Sequence, residues 1–130
     1  MMNHILLYEP DQERVSQLIF LLNLADIRCT VAGTIEEACN WLSADRQKVT
    51  MFDLFLLDSL NGDELEKKLL AEISAFTTVP ILYIEQEATP LPEYLRDKTT
   101  ICHPHNLLSC LHECLMAAQG SVTQLVASKR

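Results

Sequence analysis

Asp58 closes an apolar run, Phe55-Leu56-Leu57. An ionised carboxylate in that setting can bind a hard cation or act as an oxygen nucleophile. Other polar groups sit at comparable places. Glu9, with Asp11 two residues on, follows Ile5-Leu6-Leu7-Tyr8; Glu85 follows Ile81-Leu82-Tyr83-Ile84; and His103 follows Thr99-Thr100-Ile101-Cys102. Bringing Glu9, Asp11 and Asp58 together without a cation would raise at least one pKa through like-charge repulsion. Mg2+, which prefers oxygen ligands, would relieve that cost. The candidate site is therefore Asp58 with Glu9 and Asp11 as metal ligands, flanked by Glu85 and His103. Each residue also has a plainer role. Asp11 can cap a helix, and acids favour the positive end of a helix dipole. Asp58 can be a solvated strand-end acid. Glu85 can be an exposed loop acid, or can pair with His103 and lock the site into one state.

The elements that must position these groups follow from periodicity. Ile5–Tyr8 predicts a buried strand, and Val15, Leu18, Ile19 and Leu22 fall at helical spacing between Asp11 and Leu24. Ile27–Val31 alternates and predicts a second strand. Thr34 and Glu37 have capping-box spacing, opening a helix that carries Ala38, Trp41 and Leu42 inward. Met51–Leu57 predicts a third strand, and Asn61-Gly62 a turn. Glu64–Phe76 predicts a helix with Leu65, Leu69, Leu70 and Ile73 inward. Ile81–Ile84 and Thr99–Cys102 predict two more strands. Pro90 and Pro92 leave room only for a short helix around 93–96. Leu107, Leu108, Leu111 and Leu115 predict a last helix to about residue 118. Residues 1–118 thus form one domain, and 119–130 a polar tail. Strands alternating with helices imply an α/β fold, a five-stranded parallel sheet covered on both faces. Ligands of such sheets gather at the carboxyl ends of the strands, where the candidate residues fall.

Composition limits the partners. The 130 residues are 48% hydrophobic, enough for one globular core. Eighteen acids against ten bases give a net charge of −8, which disfavours nucleic acid and anionic membrane surfaces alike. No apolar run approaches the roughly 20 residues of a membrane span. The opening Met1-Met2-Asn3-His4 lacks the character of a secretory signal, so a cytoplasmic location is expected. The five cysteines, without a CxxC pair, read as reduced and mainly buried thiols. Cys110 and Cys114 would share a helix face, but His112 points elsewhere, so they form no ready metal triad.

The order of these pieces resembles the receiver domain of two-component response regulators, the CheY-like branch of the flavodoxin-like (βα)5 folds. The matching segments are Ile5–Asp11, Phe55–Asp58, Gly62–Leu65, Val79–Leu82 and His103-Pro104. The resemblance implies that Asp58 is the phosphoacceptor, that acids after the first strand help to hold Mg2+, and that a sensor histidine kinase or phosphotransfer protein is the donor. It places Glu85 where the family has Thr or Ser. His103-Pro104 falls where the family has Lys-Pro, usually with a cis peptide.

This chain departs from that pattern. Pro10 stands in place of the second acid. Glu85 puts a negative charge where a phosphoryl group would arrive. His103 supplies an imidazole, charged only below roughly pH 6.5, in place of a permanent ammonium. Two functions stay open. One is a phosphorelay receiver modified at Asp58. The other is a degenerate pseudo-receiver that binds a downstream protein, or a second copy of itself, through its last strand and helix without phosphorylation. A phosphatase of another class would want a second Asp two residues beyond Asp58, where Leu60 stands; no enzymatic activity is expected.

Overall fold

The computed structural model describes residues 3–46, 52–60, 62–84, 95 and 99–116. Five strands form one parallel sheet: β1 (Asn3–Tyr8), β2 (Ile27–Ala32), β3 (Leu54–Leu57), β4 (Ile81–Ile84) and β5 (Thr99–Cys102). Their spatial order is β2-β1-β3-β4-β5, and every neighbouring pair runs parallel. Among the described residues, four helices of two turns or more cover the sheet: α1 (Gln12–Leu24), α2 (Ile35–Arg46), α3 (Glu64–Phe76) and α4 (107–116). This is the expected α/β architecture.

Alternation along the strands divides the core into two layers. Leu6, Tyr8, Phe55, Leu57, Ile81 and Tyr83 pack with Ile35, Ala38 and Leu42 of α2 and with Leu70 and Ile73 of α3. Ile5, Leu7, Leu54, Leu56, Leu82 and Ile84 face the other way, onto Leu18 and Leu22 of α1 and Leu111 and Leu115 of α4. Successive side chains of a strand point to opposite faces, so a strand buried on both faces must be apolar throughout. The central strands meet that demand: β3 and β4 are buried at every position.

Local chemistry fixes the helix starts. Asp11 is extended (φ −86°, ψ 116°) and its carboxylate accepts from the Glu13 amide. Thr34 Oγ1 accepts from the Glu37 amide at 3.1 Å. Asp63 caps α3 through the Glu66 amide at 2.8 Å, after a turn in which Gly62 takes the left-handed conformation (φ 78°).

Several sequence expectations shift. Trp41 is 38% exposed and meets Phe52 edge-on, because the buried row of α2 runs through Ile35, Ala38 and Leu42 and leaves position 41 on its flank. Leu65 and Leu108 are exposed for the same reason: their neighbours Glu66 and Leu107 hold the inward positions. β3 begins at Leu54 and not at Met51; Phe52 is buried ahead of it, and Asp53 bonds to His4 of β1. The His103–Pro104 peptide is trans, so the cis bond usual in the resembled family is absent here. The proposed tail 119–130 and most of the 93–96 helix lie outside the described residues. Leu95, which is described, is helical and buried against the α2–α3 layer.

Candidate functional site

Strand register brings the first two acids together. Tyr8 of β1 pairs with Leu57 of β3, so the next residues, Glu9 and Asp58, leave the sheet side by side. Tyr8 and Leu57 both point into the α2–α3 layer. Alternation therefore turns Glu9 and Asp58 toward the opposite face, where α1 lies. Glu9 is 1% exposed and Asp58 0%.

A third residue completes the cluster. α1 returns antiparallel to the strands, so its first turn sits over the strand tips. Its inward row, Leu18 and Leu22, continues one helical step back to Arg14. Arg14 Nε donates to Asp58 Oδ2 and Arg14 Nη2 to Asp58 Oδ1, both at 3.0 Å. This two-point fork is the strong form of a guanidinium–carboxylate pair. The Arg14 side chain keeps 34% exposure while Asp58 has none. A positive charge in the first turn of a helix opposes the helix dipole. The hydrogen bonds to Asp58 foremost, with smaller contributions from the charges of Asp58, Glu9 and Asp11, outweigh the cost of burial, and the Arg14 pKa is raised.

Glu9 is held differently. Its Oε1 accepts from the Asp11 amide at 2.9 Å, and its Oε2 is enclosed without a hydrogen-bond donor. Burial foremost, then the adjoining Asp58 carboxylate, push its pKa up to about 7; the Asp11 amide and the Ser59 hydroxyl pull the other way. The ionised group is thus costly here, as expected for two carboxylates in one dry site.

The carboxylate of Asp11 and the ring of His103 stand apart from this cluster. Asp11 is exposed, and its carboxylate caps α1, the plainer of its two expected roles. His103 is exposed at the end of β5, and its ring stacks on His105 at 5.8 Å between centroids. β5 lies two strands from β3, roughly 10 Å at the usual strand spacing. Glu85 lies outside the described residues, and with it the expected Glu85–His103 pair. The cysteines are free thiols, but of the five only Cys102 is buried and the others are partly exposed; burial pushes Cys102 up to about 12 and Cys29 up to about 11. That makes both poor nucleophiles.

The chemistry of the donor set does not fit Mg2+. Both oxygens of Asp58 are taken by Arg14, one oxygen of Glu9 is taken by a backbone amide, and Asp11 is turned to its helix. Among the described residues, no group of three or more His, Cys, Asp and Glu side chains is arranged to hold a metal ion.

Sequence reasoning missed Arg14. The signal was present: Arg14, Leu18 and Leu22 share one i, i+4 row, so a base sits on the buried face of a helix whose start overlies three acids. It also missed Glu66, which is 2% exposed. Glu66 accepts from the Tyr8 hydroxyl at 2.7 Å and from the Gly62 amide at 2.8 Å.

No protein-family model matches the sequence, and no curated protein matches it. Solved structures do. The N-terminal domain of a response regulator/sensory box/GGDEF three-domain protein from Carboxydothermus hydrogenoformans superposes with a TM-score of 0.72 at 18% identity, covering 92% of this chain and 99% of that one. A response regulator receiver domain protein from Bacillus halodurans gives 0.60 at 15% identity, over 90% and 97% of the two chains. The N-terminal domain of a response regulator receiver protein from Methanoculleus marisnigri gives 0.56 at 24% identity, over 87% and 96%. The chain has the receiver fold, with Asp58 at the carboxyl end of the middle strand of its sheet. Among the described residues, no helix is long and apolar enough to cross a membrane.

Proposed function

We propose that this protein is a receiver-fold signalling module that works by docking to another protein and does not depend on phosphorylation of Asp58. The observation that carries this reading is the Arg14–Asp58 fork: the carboxylate at the acceptor position is fully buried, and each of its oxygens accepts a hydrogen bond from Arg14. A nucleophilic carboxylate must reach a phosphorus atom along an open line, and phosphoryl transfer depends on positioning and charge stabilisation at that point. The guanidinium stands on that line. Pro10 in place of an acid adds to the case, since its ring offers no ligand for Mg2+. The docking partner is a downstream protein; the acidic surface and the fold neighbours both favour a protein over nucleic acid.

A second reading keeps the phosphorelay. Asp58 lies beside Glu9 at the tip of β3, and the Arg14 side chain is one-third exposed, so it has a route into solvent. In that case a sensor histidine kinase or phosphotransfer protein would first have to displace Arg14. One experiment separates the two. The full chain is incubated with acetyl phosphate and Mg2+, and separately with beryllofluoride and Mg2+, beside Asp58→Asn. The docking reading expects no phosphoryl mass gain and unchanged amide NMR shifts in the wild-type chain. A mass gain that vanishes in Asp58→Asn would establish the phosphorelay instead.

A further inference from the structure

Glu9 and Asp58 form a pair of buried carboxylates, and burying such a pair costs free energy unless a cation accompanies it. Here the cation is part of the chain. Arg14 grips Asp58 with two donors at 3.0 Å, and nothing comparable reaches Glu9, whose Oε2 is enclosed without a hydrogen bond. The pocket therefore holds one compensated oxygen pair and one buried oxygen still lacking a partner. The spacing of α1 explains why a side chain can do this. Arg14 lies one helical step ahead of Leu18, whose burial fixes the helix on the sheet and aims position 14 at the strand tips.

We infer that Arg14 is the resident cation of this pocket: it occupies the Asp58 oxygens that a divalent ion would need, and it excludes such an ion while the pair is closed. The inference rests on the reading of Asp58 as a blocked acceptor position and names what blocks it. Arg14 acts here as a positioning residue, tying the start of α1 to the end of β3. Once the guanidinium is removed, the oxygens of Asp58 and the Oε2 of Glu9 lie at neighbouring strand tips in a dry site, and carboxylate oxygens are the donors that hard divalent cations take, displacing any proton held there.

The test titrates Mg2+ and Mn2+ alone into four full-length proteins, with calorimetry and thermal denaturation as readouts. These are the wild-type chain, Arg14→Met, Arg14→Lys and Arg14→Met combined with Asp58→Asn. Met keeps the length and the apolar stem of Arg but not its charge. Wild type and Arg14→Lys should show no saturable binding and no shift in Tm. Arg14→Met should bind Mn2+ saturably, at least about tenfold more tightly than the weakest binding the wild-type titration can detect, and recover Tm on adding it. The double variant should lose that response. If Arg14→Met folds only with Mn2+ present, that rescue counts for the inference. Failure to fold with or without the ion, or folding without any metal response, overturns it. Equal binding by wild type and Arg14→Met overturns it as well. Phosphoryl capture by the wild-type chain would sink the docking reading whatever these titrations give. A wild-type chain inert to phosphoryl donors together with a metal-blind Arg14→Met would sink only this inference.

Discussion

Two buried carboxylates flank the turn after β3, and the protein stabilises them by opposite means. Glu66 is met by neutral donors, the Tyr8 hydroxyl and the Gly62 amide. Those donors are fixed: Tyr8 is wedged in the core at 2% exposure, and Gly62 belongs to the turn that starts α3. Asp58 is met by a full charge on a long side chain that is itself one-third exposed. The Glu66 carboxylate thus pins the start of α3 whatever else happens, whereas the state of Asp58 depends on one side chain. In Tyr8 the same contact is visible from the other side: burial first, and then the Glu66 carboxylate, raise its pKa well above the ordinary phenol value. A fold with the same strand tips can therefore carry one acid as structure and another as a conditional charge.

The sharpest way to break this contrast is Arg14→Met. It takes the guanidinium from the buried Asp58, and it should cost about 3–5 kcal/mol, the usual penalty for removing one member of a buried ion pair. Urea denaturation measures it. Asp58→Asn should cost distinctly less, because Arg14, one-third exposed, can turn to water. Equal losses would mean that the pair is not asymmetric in the way its burial indicates.

A pH titration of stability sharpens the Asp58 side. Glu9 is raised from 4.5 to about 7 in the folded chain. The unfolded state therefore gives up this proton first as pH rises. The stability linked to the proton is complete below about pH 4.5 and fades as pH climbs through about 7. The loss over that window should be about 3 kcal/mol from this group, and Glu9→Gln should remove it. Matching urea midpoints for the two proteins at pH 5 and pH 8 would contradict the raised value.

On the Glu66 side, Tyr8→Phe removes one neutral donor from a buried carboxylate, at about 1–2 kcal/mol. Unlike Arg14→Met, it should gain no response to divalent ions. The smallest effect belongs to the helix caps. Asp63→Ala and Asp11→Ala should each cost about 1 kcal/mol. Asp63→Ala should be the larger of the two, since it also loosens the Glu66 turn. Hydrogen exchange in the first turns of α3 and α1 would rank them.

Much of the fold was legible in the residues. Apolar runs at Ile5–Tyr8 and Ile81–Ile84 could only be strands buried on both faces, and the helices between them made the sheet parallel. The caps at Asp11 and Thr34 could be placed from spacing alone, because a cap is a contact between residues two or three apart. The site was legible only in part. Glu9 and Asp58 were found because strand tips of a parallel sheet share one edge. Arg14 is harder to read: the row from Leu22 through Leu18 leads to position 14, but its partner lies 44 residues away on another element. Trp41, Leu65 and Leu108 were assigned inward because a run of apolar residues gives the helix but not the phase of its buried face to within one position.

What the sequence determined by itself were the local and periodic features: strands, helices, caps, and a set of polar residues gathered at one edge. These follow from backbone geometry and side-chain pattern over a few residues. What only the tertiary structure decided was which charge answers which. Arg14 and Asp58 are 44 residues apart in the chain, and they meet because the β1–β3 register and the seating of α1 on Leu18 and Leu22 bring the first turn of the helix over the tip of β3. Long-range pairing of charges depends on burial and distance, and neither exists until the chain has packed.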